Sequence, residues 1–174
     1  MFLDSLQVWQ NFYFMLGGAV ATLIGLIFVA VSLGVNLVSD DTRDNIALYV
    51  TPILSYFISV LVVALIMLTP WPAPTGWAGL LVLIGGWGIS RVLGIAWRML
   101  QPEQRAHAKY SHWLWHVIVP GLSFALIGVM ALWFVAAGAG LALFGLAVAT
   151  VLLLISSTWR VWDLILWIAH QRIS

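Results

Sequence analysis

Hydrophobic positions along the chain gather into five long runs, at residues 12–38, 46–69, 76–99, 113–137 and 141–169, with short polar, proline-marked or glycine-marked interruptions between them. Each run meets the requirement of about 20 mostly apolar residues for crossing a hydrocarbon core about 30 Å thick. A backbone inside a bilayer finds no water to bond, so runs of this kind are helices. The pattern predicts an all-α, polytopic membrane bundle of five transmembrane helices, one domain over residues 1–174. Gly138-Ala139-Gly140 divides the last two runs, which joined would be about twice as long as a bilayer needs. Pro70, Pro72 and Pro74 set the turn between the second and third runs. The third run is the weakest, since Arg91 interrupts it and it holds Gly85, Gly86, Gly88 and Gly94.

Charge gives the bundle a direction. With five crossings, Arg43, Arg98, Arg105, Lys109 and Arg172 share one face, and the other face has no lysine or arginine. The positive-inside rule makes the charged face cytoplasmic, so the N-terminus is expected outside and the C-terminus inside. Dropping the third run would place Arg105 and Lys109 opposite Arg43. Tryptophans agree with this map: Trp9, Trp71, Trp77 and Trp133 are expected at the outer interface, and Trp97, Trp113, Trp115 and Trp167 at the inner one.

Composition narrows the function classes. Apolar residues make up 63% of the chain and charged residues only 7%, against about 25% charged in globular proteins. The longest soluble stretch, 101–111, is too short to fold alone. A formal charge of +1, with its basic residues at span ends, predicts no nucleic-acid binding. Without cysteine the chain has no disulfide, thiolate nucleophile or cysteine-bound metal. It opens Met-Phe-Leu-Asp with no basic segment, so the first run is expected to remain in the mature protein rather than act as a signal peptide.

Small residues recur in steps of four, Gly17, Ala21 and Gly25 in the first run and Gly86, Ser90 and Gly94 in the third. This spacing lets helix backbones approach closely in a membrane. It serves either packing within the bundle or an oligomer interface. No internal repeat is visible, which weakens an inverted-repeat transporter.

Ionisable groups inside a membrane are the default functional candidates, because each is costly to bury. The runs contain Arg91, Arg160 and Asp163, the last being their only carboxylate. Arg91 and Asp163 are candidates for an ion pair between the third and fifth spans, and Arg160 and Asp163 for an i,i+3 pair. One reading is a structural clasp. The other adds Thr51, Ser55, Tyr56 and Ser59, with Ser156, Ser157 and Thr158, as the lining of a cytoplasm-facing cavity. Two arginines and hydroxyls favour an anion or lipid headgroup there, whereas Asp163 alone favours a proton or cation. Serine and threonine in apolar helices also bond their own backbone, which needs no ligand.

Other chemistry finds little footing. His112 and His116 stand at i,i+4 with His107 and Tyr110 upstream, but no carboxylate or cysteine completes a metal site, and interfacial histidines without a ligand are expected. Ser123 lies in Gly-Leu-Ser-Phe-Ala, which lacks the second glycine of a nucleophile elbow. A second acid for a paired-aspartate protease is missing, and no phosphate-binding or dinucleotide fingerprint occurs. No catalytic residue, metal or bound cofactor is expected.

The run from Phe14-Met15-Leu16-Gly17-Gly18-Ala19-Val20-Ala21 to Ala30-Val31-Ser32-Leu33 resembles the first span of a widespread, uncharacterised family of small bacterial multispan inner-membrane proteins. The segment Trp159-Arg160-Val161-Trp162-Asp163-Leu164 is similar to that family's final motif, at Arg160, Trp162 and Asp163 in particular. Some members are labelled modulators of a membrane AAA protease. The resemblance covers the first and last spans, and the middle by hydropathy. It implies a multi-pass protein of the bacterial inner (cytoplasmic) membrane, and no site residues. The tryptophan-rich sensory proteins are also five-spanning, but their Lys-Pro segment and Trp-x-x-Leu-Tyr signatures are missing here.

The expected function is non-enzymatic: an accessory or modulatory subunit packing in the lipid bilayer against a larger membrane complex or itself, as a homo-oligomer. The alternative is a small oligomeric channel or transporter for an ion or small anion, built on the polar cluster around Arg91 and Asp163. An enzyme acting on lipid or another hydrophobic substrate ranks third.

Overall fold

The computed structural model describes residues 2–35, 40–99 and 114–171, and it is all-helical apart from the turns. Helix α1 spans Phe2–Val35, α2 Asp40–Leu68 and α3 Pro74–Met99. A π-helical turn, Leu114–Ile118, leads into α4, Val119–Ala137, and α5 spans Ala139–Gln171. Four stretches are long and apolar enough to cross a membrane: Leu6–Ser32, Thr75–Trp97, Val119–Ala137 and Gly140–Trp162. That is one fewer than the sequence leads one to expect. In α2 the apolar stretch among the described residues is the shorter Ile53–Leu68.

The first helix begins well before residue 12. Its apolar segment starts at Leu6, which is buried, and Trp9 packs edge-on against Phe12 and Phe144. Leu6, Tyr13, Leu16, Val20 and Ile27 are the buried positions of α1. Their steps of three, four and seven give α1 one narrow inward seam, the spacing that suits helices packed nearly side by side.

α5 lies at the centre, against α4, α2 and α1, while α3 packs outside α4 and α1 outside α2. Half of the α5 apolar segment is buried, against 17% of that in α1. The two outer helices therefore offer most of their surface to whatever surrounds the bundle.

Gly138 makes the break between α4 and α5. Its φ is +102°, a region that disfavours any residue with a Cβ, and its N–H donates to the Phe134 carbonyl at 3.1 Å. At the proline turn the Trp71 indole N–H donates to the Ile66 carbonyl at 2.9 Å, and the Trp71 ring lies against Gly76. Trp77, expected near the outer interface, does not face outward. It is fully buried, with its ring 4.8 Å from that of Phe134, because α4 covers the face of α3 on which it stands.

Glycines set the α3–α4 distance. A Cβ on Gly85 would lie 2.9 Å from the Phe124 carbonyl oxygen and 3.1 Å from the Gly128 nitrogen, and one on Gly88 would enter the Phe124 ring. Dispersion across such a close approach holds membrane helices together, since lipid tails are as apolar as the side chains. The contact is one position away from the expected Gly86, Ser90 and Gly94 stripe. Gly86 and Gly94 have nothing within 4 Å of a built Cβ, and Ser90 is exposed. In α1, Gly17 lies 3.4 Å from the Ala64 Cβ by the same measure, whereas Gly25 has no neighbour and Ala21 is exposed.

Candidate functional site

A line of contacts through four helices ends on Arg160. The space left by Gly88 of α3 admits the Phe124 ring of α4. Phe124 backs the Tyr56 ring of α2, with centroids 5.8 Å apart. On Tyr56 rests the Arg160 guanidinium of α5, 4.6 Å from the ring centroid. Arg160 is only 5% exposed and Tyr56 1%. A guanidinium is planar and weakly hydrated, so the face of an aromatic ring suits it where water is scarce. Sequence reasoning had singled out Arg160 and Tyr56, and the structure brings them together. It missed Phe124, whose signal was the three-residue step from Gly85 to Gly88.

Hydroxyls nearby are already used by their own helices. Ser59 donates to the Ser55 carbonyl at 2.8 Å, Ser156 and Ser157 both donate to Leu153 at 2.9 and 2.7 Å, and Thr158 donates to Leu154 at 2.9 Å. Ser123 and Thr150 do likewise with Val119 and with Leu146 and Ala147. These bonds satisfy the hydroxyl without a ligand.

The Tyr56 hydroxyl is buried and has no hydrogen-bond partner among the described residues. An unsatisfied buried hydroxyl costs about 1–3 kcal/mol. Tyr56→Phe keeps the ring under Arg160, so its unfolding free energy in mixed micelles is expected to equal or exceed the parent's by about 1 kcal/mol. A loss of that size would instead mean that the hydroxyl has a partner.

Arg91 belongs to a different setting. It is exposed, on α3, and its guanidinium lies over the Trp87 ring at 5.4 Å from the centroid. Around it Gly86, Trp87, Ser90 and Gly94 are exposed as well. The structure therefore separates Arg91 from the Arg160 and Tyr56 pair. Ser55 and Ser59 stay with that pair, on α2.

Several expectations lie outside the described residues. They include the side chains of Asp163, and with it both proposed ion pairs, of Thr51 and of His116, together with His107, Tyr110 and His112. Among the described residues no three histidines and carboxylates gather as a metal site. Within the π-helical turn Trp115 stacks on Trp159, with centroids 5.3 Å apart and planes 14° from parallel.

Comparison of the chain with known protein families, with curated proteins and with solved structures returns no match.

Proposed function

We propose that the chain is a non-enzymatic accessory or modulatory subunit of the bacterial inner membrane, packing through α3 against a larger membrane complex. One observation carries the reading: α3 has two glycine faces, and its own bundle uses one. Gly85 and Gly88 are filled by α4, while Gly86 and Gly94, with Ser90 between them, are left bare. Glycine in a helix interior costs about 1 kcal/mol relative to alanine in water. Bare glycines along one line of a membrane helix make sense where a second backbone is to come close.

The polar interior supports the same reading. A conducting path needs hydroxyls and charges turned to a lumen, whereas here the described buried hydroxyls of serine and threonine bond their own helices and Arg160 rests on Tyr56. A second reading, an oligomeric anion channel or transporter, draws on the buried Tyr56 hydroxyl beside Arg160. Proteoliposomes decide between them. The accessory reading expects anion and cation leakage no faster than from protein-free vesicles, and a flux that Tyr56→Phe alters would replace it with the second.

The proposal includes five crossings with the N-terminus outside. α2 has 29 residues, about 43 Å at about 1.5 Å per residue, and the apolar run 46–69 lies within or beside it. The chain has no cysteine, so single cysteines report sidedness cleanly. Asp4→Cys is expected to react with an impermeant maleimide on intact cells and Ser174→Cys only after permeabilisation. The same side for both would remove a crossing, and reversed sides would invert the map.

A further inference from the structure

We infer that one flank of α3 binds an anionic phospholipid, with Arg91 as the ligand of its phosphate. The inference goes beyond the accessory reading and does not rest on it.

Arg91 stands eight residues before α3 ends at Met99, about 12 Å at about 1.5 Å per residue. A cation at that depth in a membrane needs a counter-charge or a way to the surface. Its nearest packing neighbours supply no counter-charge: α3 and α4, which pack together, contain no aspartate or glutamate, and α2 has its acids, Asp40, Asp41 and Asp44, at its start. Arg91 is exposed, with its guanidinium over the Trp87 ring at 5.4 Å from the centroid. A ring face attracts a cation but brings no negative charge. The anion therefore comes from outside the chain.

The flank on which Arg91 stands has the polarity of a lipid. Leu80, Ile84, Trp87, Arg91 and Arg98 follow in steps of four, three, four and seven, so these positions mark one line along the helix. Leu80 and Trp87 are exposed and Ile84 half-buried, an apolar stretch for acyl chains to lie on. Two arginine positions then follow toward the end of the helix, the order in which a phospholipid places its chains and its phosphate. An exposed side chain changes rotamer within nanoseconds, and the long arginine stem lets the guanidinium leave Trp87 for a phosphate nearer the surface. Its planar fork accepts phosphate oxygens two at a time. The line lies about a quarter turn round the helix from Gly86, Ser90 and Gly94, so a lipid here leaves those positions to a partner.

Other anions suit this place less well. A soluble anion would have to leave water for a site open to lipid. Asp163 of a second copy is the other candidate, as the one acid within the apolar runs. It stands three residues from Arg160 on its own helix, the spacing at which helical charges pair. Phosphates, by contrast, line every membrane surface, and basic sites at helix ends select the lipids with net negative charge.

The test is native mass spectrometry of the purified full chain in micelles, titrated with phosphatidylglycerol or with phosphatidylcholine. Phosphatidylcholine carries the same phosphate beside a fixed cation. The parent is expected to bind phosphatidylglycerol about fivefold or more tightly than phosphatidylcholine, the worth of about one arginine near a charged lipid surface. Arg91→Gln is expected to lose that preference, Arg91→Lys to keep most of it, and Arg43→Gln, at the start of α2, to leave it unchanged. Unfolding of Arg91→Gln, measured alongside, is expected to match the parent, because Arg91 is exposed. Equal binding of the two lipids by the parent, or unchanged phosphatidylglycerol binding by Arg91→Gln, overturns the proposal. So does displacement of the lipid by inorganic phosphate, which would make this a site for a free anion, or a dimer of this chain that Arg91→Gln dissolves and that carries no lipid.

Discussion

Gly88→Leu is expected to lower the unfolding free energy of the solubilised protein by about 3 kcal/mol, at the upper end of overpacking effects. The added side chain begins inside the Phe124 ring, and that ring has nowhere to go. It is fully buried and backs Tyr56, on which Arg160 rests, so moving it separates α3 from α4 and loosens the contact of α2 with α5. Gly86→Leu, two positions earlier on the same helix, meets nothing within 4 Å and is expected to change stability by no more than about 0.5 kcal/mol. Denaturant titration in mixed micelles compares them directly. Equal losses would mean that α3 packs in another register.

Arg160→Ala is expected to cost about 3 kcal/mol, through the lost guanidinium–ring contact and the cavity left over Tyr56. Removing a buried guanidinium whole is different from exchanging its shape. Arg160→Lys keeps the charge but replaces a flat ion by a strongly hydrated point charge, and a loss of about 1–2 kcal/mol is expected from the weaker stacking alone. A double-mutant cycle with Tyr56→Leu isolates the pair, and a coupling of about 1 kcal/mol or more is expected. Additive effects would place the worth of Arg160 in other contacts.

Much of this architecture was legible in the sequence because its signals are long or backbone-bound. Apolar runs of membrane length predicted the helices, and Gly138 marked a turn that its positive φ requires. Which side of each helix faces inward was harder to read. A four-residue step selected Gly86, Ser90 and Gly94 as a packing line along α3, and that line faces away from α4. The inward line, Gly85 and Gly88, is chosen by the bulk of Phe124, a residue distant in sequence. Trp77 shows the same limit: its place near a span end was legible, but not that Phe134 covers it.

The two arginines were equally prominent in the sequence and were grouped in one cluster. Depth along a helix follows from counting residues, but direction around it depends on neighbours. Arg160 is turned toward the central contacts of α5 with α2, whereas Arg91 sits on the free side of an outer helix. The first is buried against Tyr56 and the second stands exposed over Trp87.

The same division runs between the two glycine faces of α3, and a paired experiment resolves it: unfolding free energy and native particle size for leucine substitutions at Gly85, Gly88, Gly86 and Gly94, in protein extracted from its own membrane. Gly85→Leu and Gly88→Leu are expected to lose stability, whereas Gly86→Leu and Gly94→Leu are expected to keep it and to shrink the native particle to the isolated chain. Stability losses at Gly86 and Gly94 equal to those at Gly85 and Gly88, or a particle size that none of the four changes, would contradict an inward face that holds the fold and an outward face that holds a partner.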